Sequence, residues 1–266
     1  MSTIEIAITH IDTACILLEI NGFRILTDPT LDQAGKLYHH GFGSVSRKTE
    51  NPALDQVTLN DIDLVLLSHH QHKDNFDHKG KEFTKTVARV ISTIPASKAM
   101  PGVIGLADWE TYELSTSPLG IVKITATPAQ HHPWWLPAFF AGKVIGFIIE
   151  FDGQKNGAIY ISGDTVYFDG IPQIAKRYNV DIGIFHVGSA QFPYLTGFGQ
   201  YTMDSKDLLK AIKVLNPNTI IPIHHKGWTH FKESEASLRA TLNAEEDINK
   251  KTVFLKSGEP TSLAFH

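Results

Sequence analysis

A chain of 266 residues, 42% hydrophobic and 20% charged, has enough apolar side chain for a substantial core and the composition of an ordinary globular protein. Its formal net charge of −4 argues against nucleic acid or an anionic membrane surface as the main partner. The single cysteine, Cys15, excludes an intramolecular disulfide and fits a reducing, cytoplasmic location.

The opening residues, Met1-Ser2-Thr3-Ile4-Glu5, lack a basic segment followed by a long apolar run, so no signal peptide is expected. Short apolar strands are predicted at 4–8, 14–20, 23–26, 63–67, 121–126, 144–151, 158–161, 181–185, 219–223 and 252–255. Asn21-Gly22 and Asp152-Gly153 read as hairpin turns. The apolar stretch 134–151 is broken by Pro137, Gly142 and Lys143, which argues against stable membrane insertion. Helical periodicity is clearest over 205–215, where Leu208, Leu209, Ile212 and Leu215 share a face and Asn216-Pro217 stops the helix. Further helices are predicted near 76–85, 171–178 and 233–243. Strands mixed with helices, with no linker or repeat between them, predict one α/β (α+β) domain over residues 1–266, built of two face-to-face sheets with helices outside.

The chemistry sits at strand ends. The apolar run 62–67 stops at Ser68 and is followed by His69-His70-Gln71-His72-Lys73-Asp74-Asn75, a poor core but a good cation site. The pattern recurs three times: before Thr127-Pro128-Ala129-Gln130-His131-His132, before Gly163-Asp164-Thr165, and before His224-His225. Imidazole and carboxylate are the ligands that zinc and its neighbours accept. There is no Gly-x-Ser-x-Gly elbow, phosphate-binding Gly-rich loop or His-Glu-x-x-His helix.

Ser68-His69-His70-Gln71-His72-Lys73-Asp74-Asn75 resembles the His-x-His-x-Asp-His signature of the metallo-β-lactamase fold. The pieces around His131, Asp164 and His224 follow in that family's order. Leu26-Thr27-Asp28-Pro29-Thr30, Ile145-Gly146-Phe147, Thr202-Met203-Asp204 and Gly227-Trp228-Thr229-His230-Phe231 are similar to one branch: hydrolases related to ascorbate-6-phosphate lactonase and N-acyl-phosphatidylethanolamine phospholipase D. The resemblance implies a four-layer αβ/βα sandwich. It also implies one or two divalent ions, zinc first and manganese or iron as alternatives.

The activity implied is hydrolysis of a small molecule's ester, lactone, amide or phosphodiester bond by metal-bound hydroxide, with lactonase or phosphodiesterase chemistry favoured. The rival reading is a non-catalytic metal-binding descendant that holds a metabolite or a protein. A homo-oligomer is left open.

By the same resemblance, one ion takes His70, His72 and His131, and the other Asp74, Asp164 and His224, with Asp164 able to bridge. Asp74 is the candidate catalytic residue, orienting water or passing a proton. Asn75 replaces the signature's last histidine and weakens the second subsite. His69 and His70 compete for one position. Alternation along an extended chain puts 70, 72 and 74 on one side and favours His70, with His69 as the alternative. Asp28 and Thr165 are expected to orient ligands. His69, Asn75, His186, Lys226 and His230 are candidates for touching substrate or tuning the metal, whereas His39, His40, His78 and His266 carry no pattern and His132 and His225 are expected to be non-ligands. Trp134, Trp135, Phe139 and Phe140, in a proline-bracketed loop after His131, read as an apolar lid, a subunit contact or core.

Overall fold

The computed structural model describes residues 4–54 and 58–264, so the expectations on residues 1–3 and on His266 lie outside the described residues. In chain order the strands are β1 (Glu5–Asp12), β2 (Cys15–Ile20), β3 (Phe23–Thr27), β4 (Leu37–Gly41), β5 (Ser44–Arg47), β6 (Leu64–Leu66), β7 (Val90–Thr93), β8 (Val103–Leu106), β9 (Thr111–Thr116), β10 (Gly120–Pro128), β11 (Ile145–Glu150), β12 (Ala158–Ile161), β13 (Val180–His186), β14 (Thr219–Ile223) and β15 (Thr261–Ala264). The helices are α1 (His78–Thr84), α2 (Ile94–Ala99), α3 (Gly170–Arg177), α4 (Pro193–Thr196), α5 (Ser205–Leu215), α6 (Glu235–Asn243) and α7 (Glu246–Lys251).

Strand alternation builds the layers. In β6 the side chains of Leu64 and Leu66 enter the core between the two large sheets, while Val65 points to the opposite face with Phe76 and Phe83. In β12, Ile159 and Ile161 enter the same central core, while Ala158 and Tyr160 pack outward against residues of α3, α5 and α6. The first sheet runs β15-β1-β2-β3-β6-β7-β8 and the second β14-β13-β12-β11-β10-β9. With helices on both outer faces, this is the expected αβ/βα sandwich. Among the described residues, no helix is long and apolar enough to cross a membrane.

Local chemistry explains the boundaries. Asn21 (φ 46°) and Gly22 (φ 86°) are both left-handed, as a two-residue hairpin between β2 and β3 requires. Helix α5 starts at Asp204, whose side chain accepts from the Asp207 N–H, and ends at left-handed Asn216 before Pro217. Two expectations need correction. Residues 252–255 make only an isolated bridge, Thr252 to Ile220, beside β14. Asp152-Gly153 is part of the longer loop 151–157 between β11 and β12 rather than a two-residue hairpin.

The topology also gathers the strand ends. Strands β12, β13 and β14 are parallel, and β10 points the same way because both β10 and β12 are antiparallel to β11. Their C-terminal ends therefore share one edge of the second sheet. Strands β3 and β6 are likewise parallel in the first sheet. Carboxyl ends of parallel strands are where open α/β sheets bind ligands.

Candidate metal centre

After β6 the chain is held by Asp28 at the end of β3. Asp28 Oδ1 accepts from the Ser68 backbone N–H at 2.7 Å and from Ser68 Oγ at 2.8 Å. The backbone then bends at 70–71 and turns at 73–75, with Phe76 N–H donating to the His72 carbonyl at 2.9 Å. Strand-like alternation therefore ends at Ser68. As a consequence His69, fully buried, joins His72 and His131, whereas His70 stays half-buried outside the cluster. The preference for His70 is corrected in favour of His69, because an alternation argument needs an extended chain.

The His69, His72 and His131 ligand atoms lie within 4.8 Å of one another. Their hydrogen bonds define which nitrogens carry protons. Ser68 Oγ donates to Asp28, so it accepts from His69 Nδ1 at 2.9 Å and leaves His69 Nε2 bare. His131 Nδ1 donates to the Tyr201 carbonyl at 2.9 Å, so His131 Nε2 is bare as well. Both bare nitrogens face His72 Nδ1 at 3.0 Å, and that atom can supply one proton at most. Three ring nitrogens thus converge with too few protons, an arrangement that a cation resolves. Burial keeps these imidazoles neutral: His69 is pushed down to about 3, His131 is lowered, and His72 lies well below its ordinary value.

Asp74, Asp164 and His224 form a second group within 4.8 Å. His224 Nε2 lies 3.5 Å from Asp74 Oδ2, 3.5 Å from Asp164 Oδ1 and 3.3 Å from Asn75 Oδ1. Asp164 spans both groups, because its Oδ2 lies 3.9 Å from His131 Nε2 and has no hydrogen-bond partner among the described residues. Burial opposes ionisation of Asp164 and Asp74, yet the surrounding histidines hold both carboxyls below the usual range. Burial also opposes a charged His224, but the two carboxylates raise it to about 9. The second group therefore calls for positive charge, which a divalent ion would supply. Both donor sets fit such ions.

Neighbouring residues aim these ligands. His186 donates from Nδ1 to Asp164 Oδ1 at 2.8 Å and stacks on His224 with ring centroids 5.4 Å apart. His230 donates from Nε2 to Asp74 Oδ2 at 2.9 Å. Asn75 donates from Nδ2 to Asp164 Oδ1 at 3.2 Å. Thr165 Oγ1 accepts from the Gln130 N–H at 3.0 Å, tying the His131 loop to the Asp164 loop. Gly163, just before Asp164, has φ 61°, and a Cβ there would lie 2.4 Å from the Ile145 carbonyl oxygen. Lys226 is placed elsewhere, half-buried and near enough to His10 to lower its pKa. His132 and His225 stay outside both groups, on the Pro133 carbonyl and on Glu235.

Some positions beside the two groups are not legible in sequence. His40, at the end of the β4–β5 hairpin, places Nδ1 3.4 Å from Asp74 Oδ1 and accepts at Nε2 from Ser46 Oγ at 2.6 Å. Nothing in Tyr38-His39-His40-Gly41 signals this, since the hairpin folds it over a site 34 residues later. Tyr201 acts through its backbone carbonyl, which no side-chain pattern reveals.

A cavity of about 260 Å³ opens onto both groups, with His40, His72, Asp74, His131 and His230 on its floor. Phe42, Leu136, Phe140, Phe192 and Leu195 form its apolar wall. The lid expectation holds only in part: Leu136 and Phe140 face the cavity, but Trp134 and Trp135 border a neighbouring groove with Tyr167 and Phe198, and Phe139 is 68% exposed.

Comparison with known proteins fits this geometry. Residues 7–224 match the family described as beta-lactamase superfamily domain. A UPF0173 metal-dependent hydrolase of Methanoregula boonei is 25% identical over 91% of this chain and 92% of the relative. One from Pelotomaculum thermopropionicum is 30% identical over 53% of this chain and 58% of the relative. Among solved structures, an isothiocyanate hydrolase from Delia radicum gut bacteria superposes with TM-score 0.79 at 22% identity, covering 97% of this chain and 99% of that one. At that identity the likeness concerns the fold.

Proposed function

The chain belongs to the beta-lactamase superfamily domain family, and from that premise we propose that it is a metal-dependent hydrolase of a small molecule, acting as one domain over residues 1–266. The observation that carries this reading is the span of Asp164, with one oxygen toward His224 and the other toward His131, beneath an accessible cavity that His72, Asp74 and His131 line. His69, His72 and His131 would hold one divalent ion, and Asp74, Asp164 and His224 a second; zinc suits the donors, and manganese or iron also accept them. An ion there supplies Lewis acidity and brings the pKa of water toward neutrality.

The chain's own residues supply orientation and proton handling. Asp74 lies at the cavity floor and can hold a water by accepting its proton at a carboxylate oxygen. His230 and His40 fix that carboxylate from two sides. His230 lines the cavity as well, so the proton that it shares with Asp74 lies at the edge of the space a substrate would enter. The apolar wall excludes bulk water and strengthens each of these interactions. The bond cut is an ester, lactone, amide or phosphodiester.

The test pairs elemental analysis with turnover. The purified protein should carry zinc, manganese or iron, and His72→Ala and His131→Ala should lose most of it along with hydrolysis of a panel of esters, lactones, amides, phosphodiesters and an isothiocyanate. Full metal retention in both variants would remove the basis for the site. Retained metal in the parent with no turnover across the panel would favour a non-catalytic binding module.

A further inference from the structure

The wall of the cavity is more informative about substrate than its floor. Among the described residues, no Lys or Arg lines it, and the only formally charged lining group is Asp74, at the floor. Phosphodiesters and phosphorylated lactones keep anionic oxygens that protein sites clamp with metal ions or with guanidinium and ammonium groups, and any charge held away from the ions needs a basic side chain. Here Phe42, Leu136, Phe140, Phe192 and Leu195 line the cavity instead. Phe140 is braced edge-on by Phe42, with centroids 4.8 Å apart, and Phe192 is stacked on His230 at 5.2 Å. Two rings of the wall are thus held in place by neighbours that also line the cavity.

Volume narrows the class further. A dry apolar cavity of about 150 Å³ accepts a benzene ring. The present cavity of about 260 Å³ has room for one such ring and a short reacting group.

Resting on the hydrolase reading above, we infer that the substrate is an uncharged molecule carrying one ring-sized apolar group next to the bond that is cut, an electrophilic carbon centre rather than a phosphorus one. The apolar group lies against Phe140 and Phe192, and the reacting group faces His40, Asp74 and His230. Phe140 is then a specificity-determining residue.

Binding by three hydroxamates to the zinc-loaded protein, followed by titration calorimetry, separates this class from the alternatives. Acetohydroxamate lacks the ring, benzohydroxamate has it, and 4-carboxybenzohydroxamate adds a distal charge to the same ring and the same metal-seeking group. Benzohydroxamate should bind about tenfold or more tighter than acetohydroxamate, the gain expected from burying an aromatic ring. The distal carboxylate should cancel that gain. Phe140→Ala should lose most of the ring's advantage while leaving acetohydroxamate affinity unchanged. No ring advantage in the parent protein, or tighter binding of the carboxylate form, overturns the inference. Turnover of phenyl acetate and of bis(4-nitrophenyl) phosphate, measured in parallel, keeps the two readings apart. If the hydroxamates follow the stated order but neither these compounds nor the rest of the panel above is cleaved, the hydrolase reading fails and the ligand class stands. If the diester is cleaved faster than the ester, hydrolysis stands and the substrate class fails.

Discussion

Asn75 donates to Asp164 and presents its oxygen to His224, so one carboxamide touches two members of the second group. Partners of this kind are worth about 10- to 100-fold in metal affinity. Asn75→Ala should therefore weaken the second ion by about that factor and leave the first nearly unchanged, as read by chelator competition and metal stoichiometry. Asn75→His should strengthen the second ion, and an unchanged affinity in both variants would make the side chain purely structural. His10 illustrates a residue that matters away from the site. Burial pushes it down to about 4, with Nε2 on the Thr13 carbonyl at 3.1 Å and Nδ1 on Ser257 Oγ at 3.1 Å. Between about pH 6.5 and 4 the unfolded chain binds a proton at this residue that the folded chain refuses. The stability His10 contributes is thus present above pH 6.5 and is lost as pH falls toward 4, about 3 kcal/mol in all. Urea unfolding of parent and His10→Gln at pH 7.5 and pH 4.5 should show a smaller loss on acidification in the variant.

The β4–β5 hairpin brings His40 and Phe42 to the cavity, and it is anchored by Lys48 just beyond β5. Lys48 is fully buried, its Nζ bonded to Asp12 and 3.4 Å from Asp77, the residue that caps α1 after the ligand loop. Removing one partner from a buried charge network leaves the others uncompensated, at a cost of about 3–5 kcal/mol. Lys48→Met should lower the urea midpoint by a corresponding amount, and the effect would be much smaller if the pair were solvated. The turn at the end of β12 is as demanding. A side chain at position 163 meets the Ile145 carbonyl in a left-handed conformation, so Gly163→Ala should displace Asp164 and cost about 1–3 kcal/mol together with a loss of metal. Normal metal content and stability in that variant would show that the backbone can yield there.

At the scale of the molecule, the proposed ligands come from both large sheets: His69, His72 and Asp74 follow β6 of the first, and His131, Asp164 and His224 follow β10, β12 and β14 of the second. An ion held by both is a cross-link present only in the folded state. Free metal at 100 times its Kd should add about 2.7 kcal/mol to stability. Chelation should accordingly lower the Tm by several degrees, with recovery on adding metal back, and His72→Ala should respond little to either treatment. A Tm indifferent to chelation in the parent would mean that the two sheets need no ion to stay together.

The sequence by itself determined the sandwich of sheets and helices, and it singled out His72, Asp74, His131, Asp164 and His224, which the structure brings into two neighbouring groups. Alternating apolar strands and the Ser205–Leu215 helix are local signals, and ligand-type residues at strand ends are written next to the strands that place them. Tertiary structure decided what depends on non-local geometry. It chose His69 over His70, because the bend after Ser68 follows from the Asp28 hold rather than from strand alternation. It brought His40 to Asp74 through a hairpin whose sequence carries no ligand pattern. It turned Phe140 toward the cavity and Trp135 toward a neighbouring groove, although both lie in the same aromatic loop. Edge strands such as β9, with mostly exposed or half-buried side chains, were missed because little apolar alternation marks them. Local periodicity reports which face a residue takes along its own strand, but which distant segment meets that face is set by the packing of the two sheets.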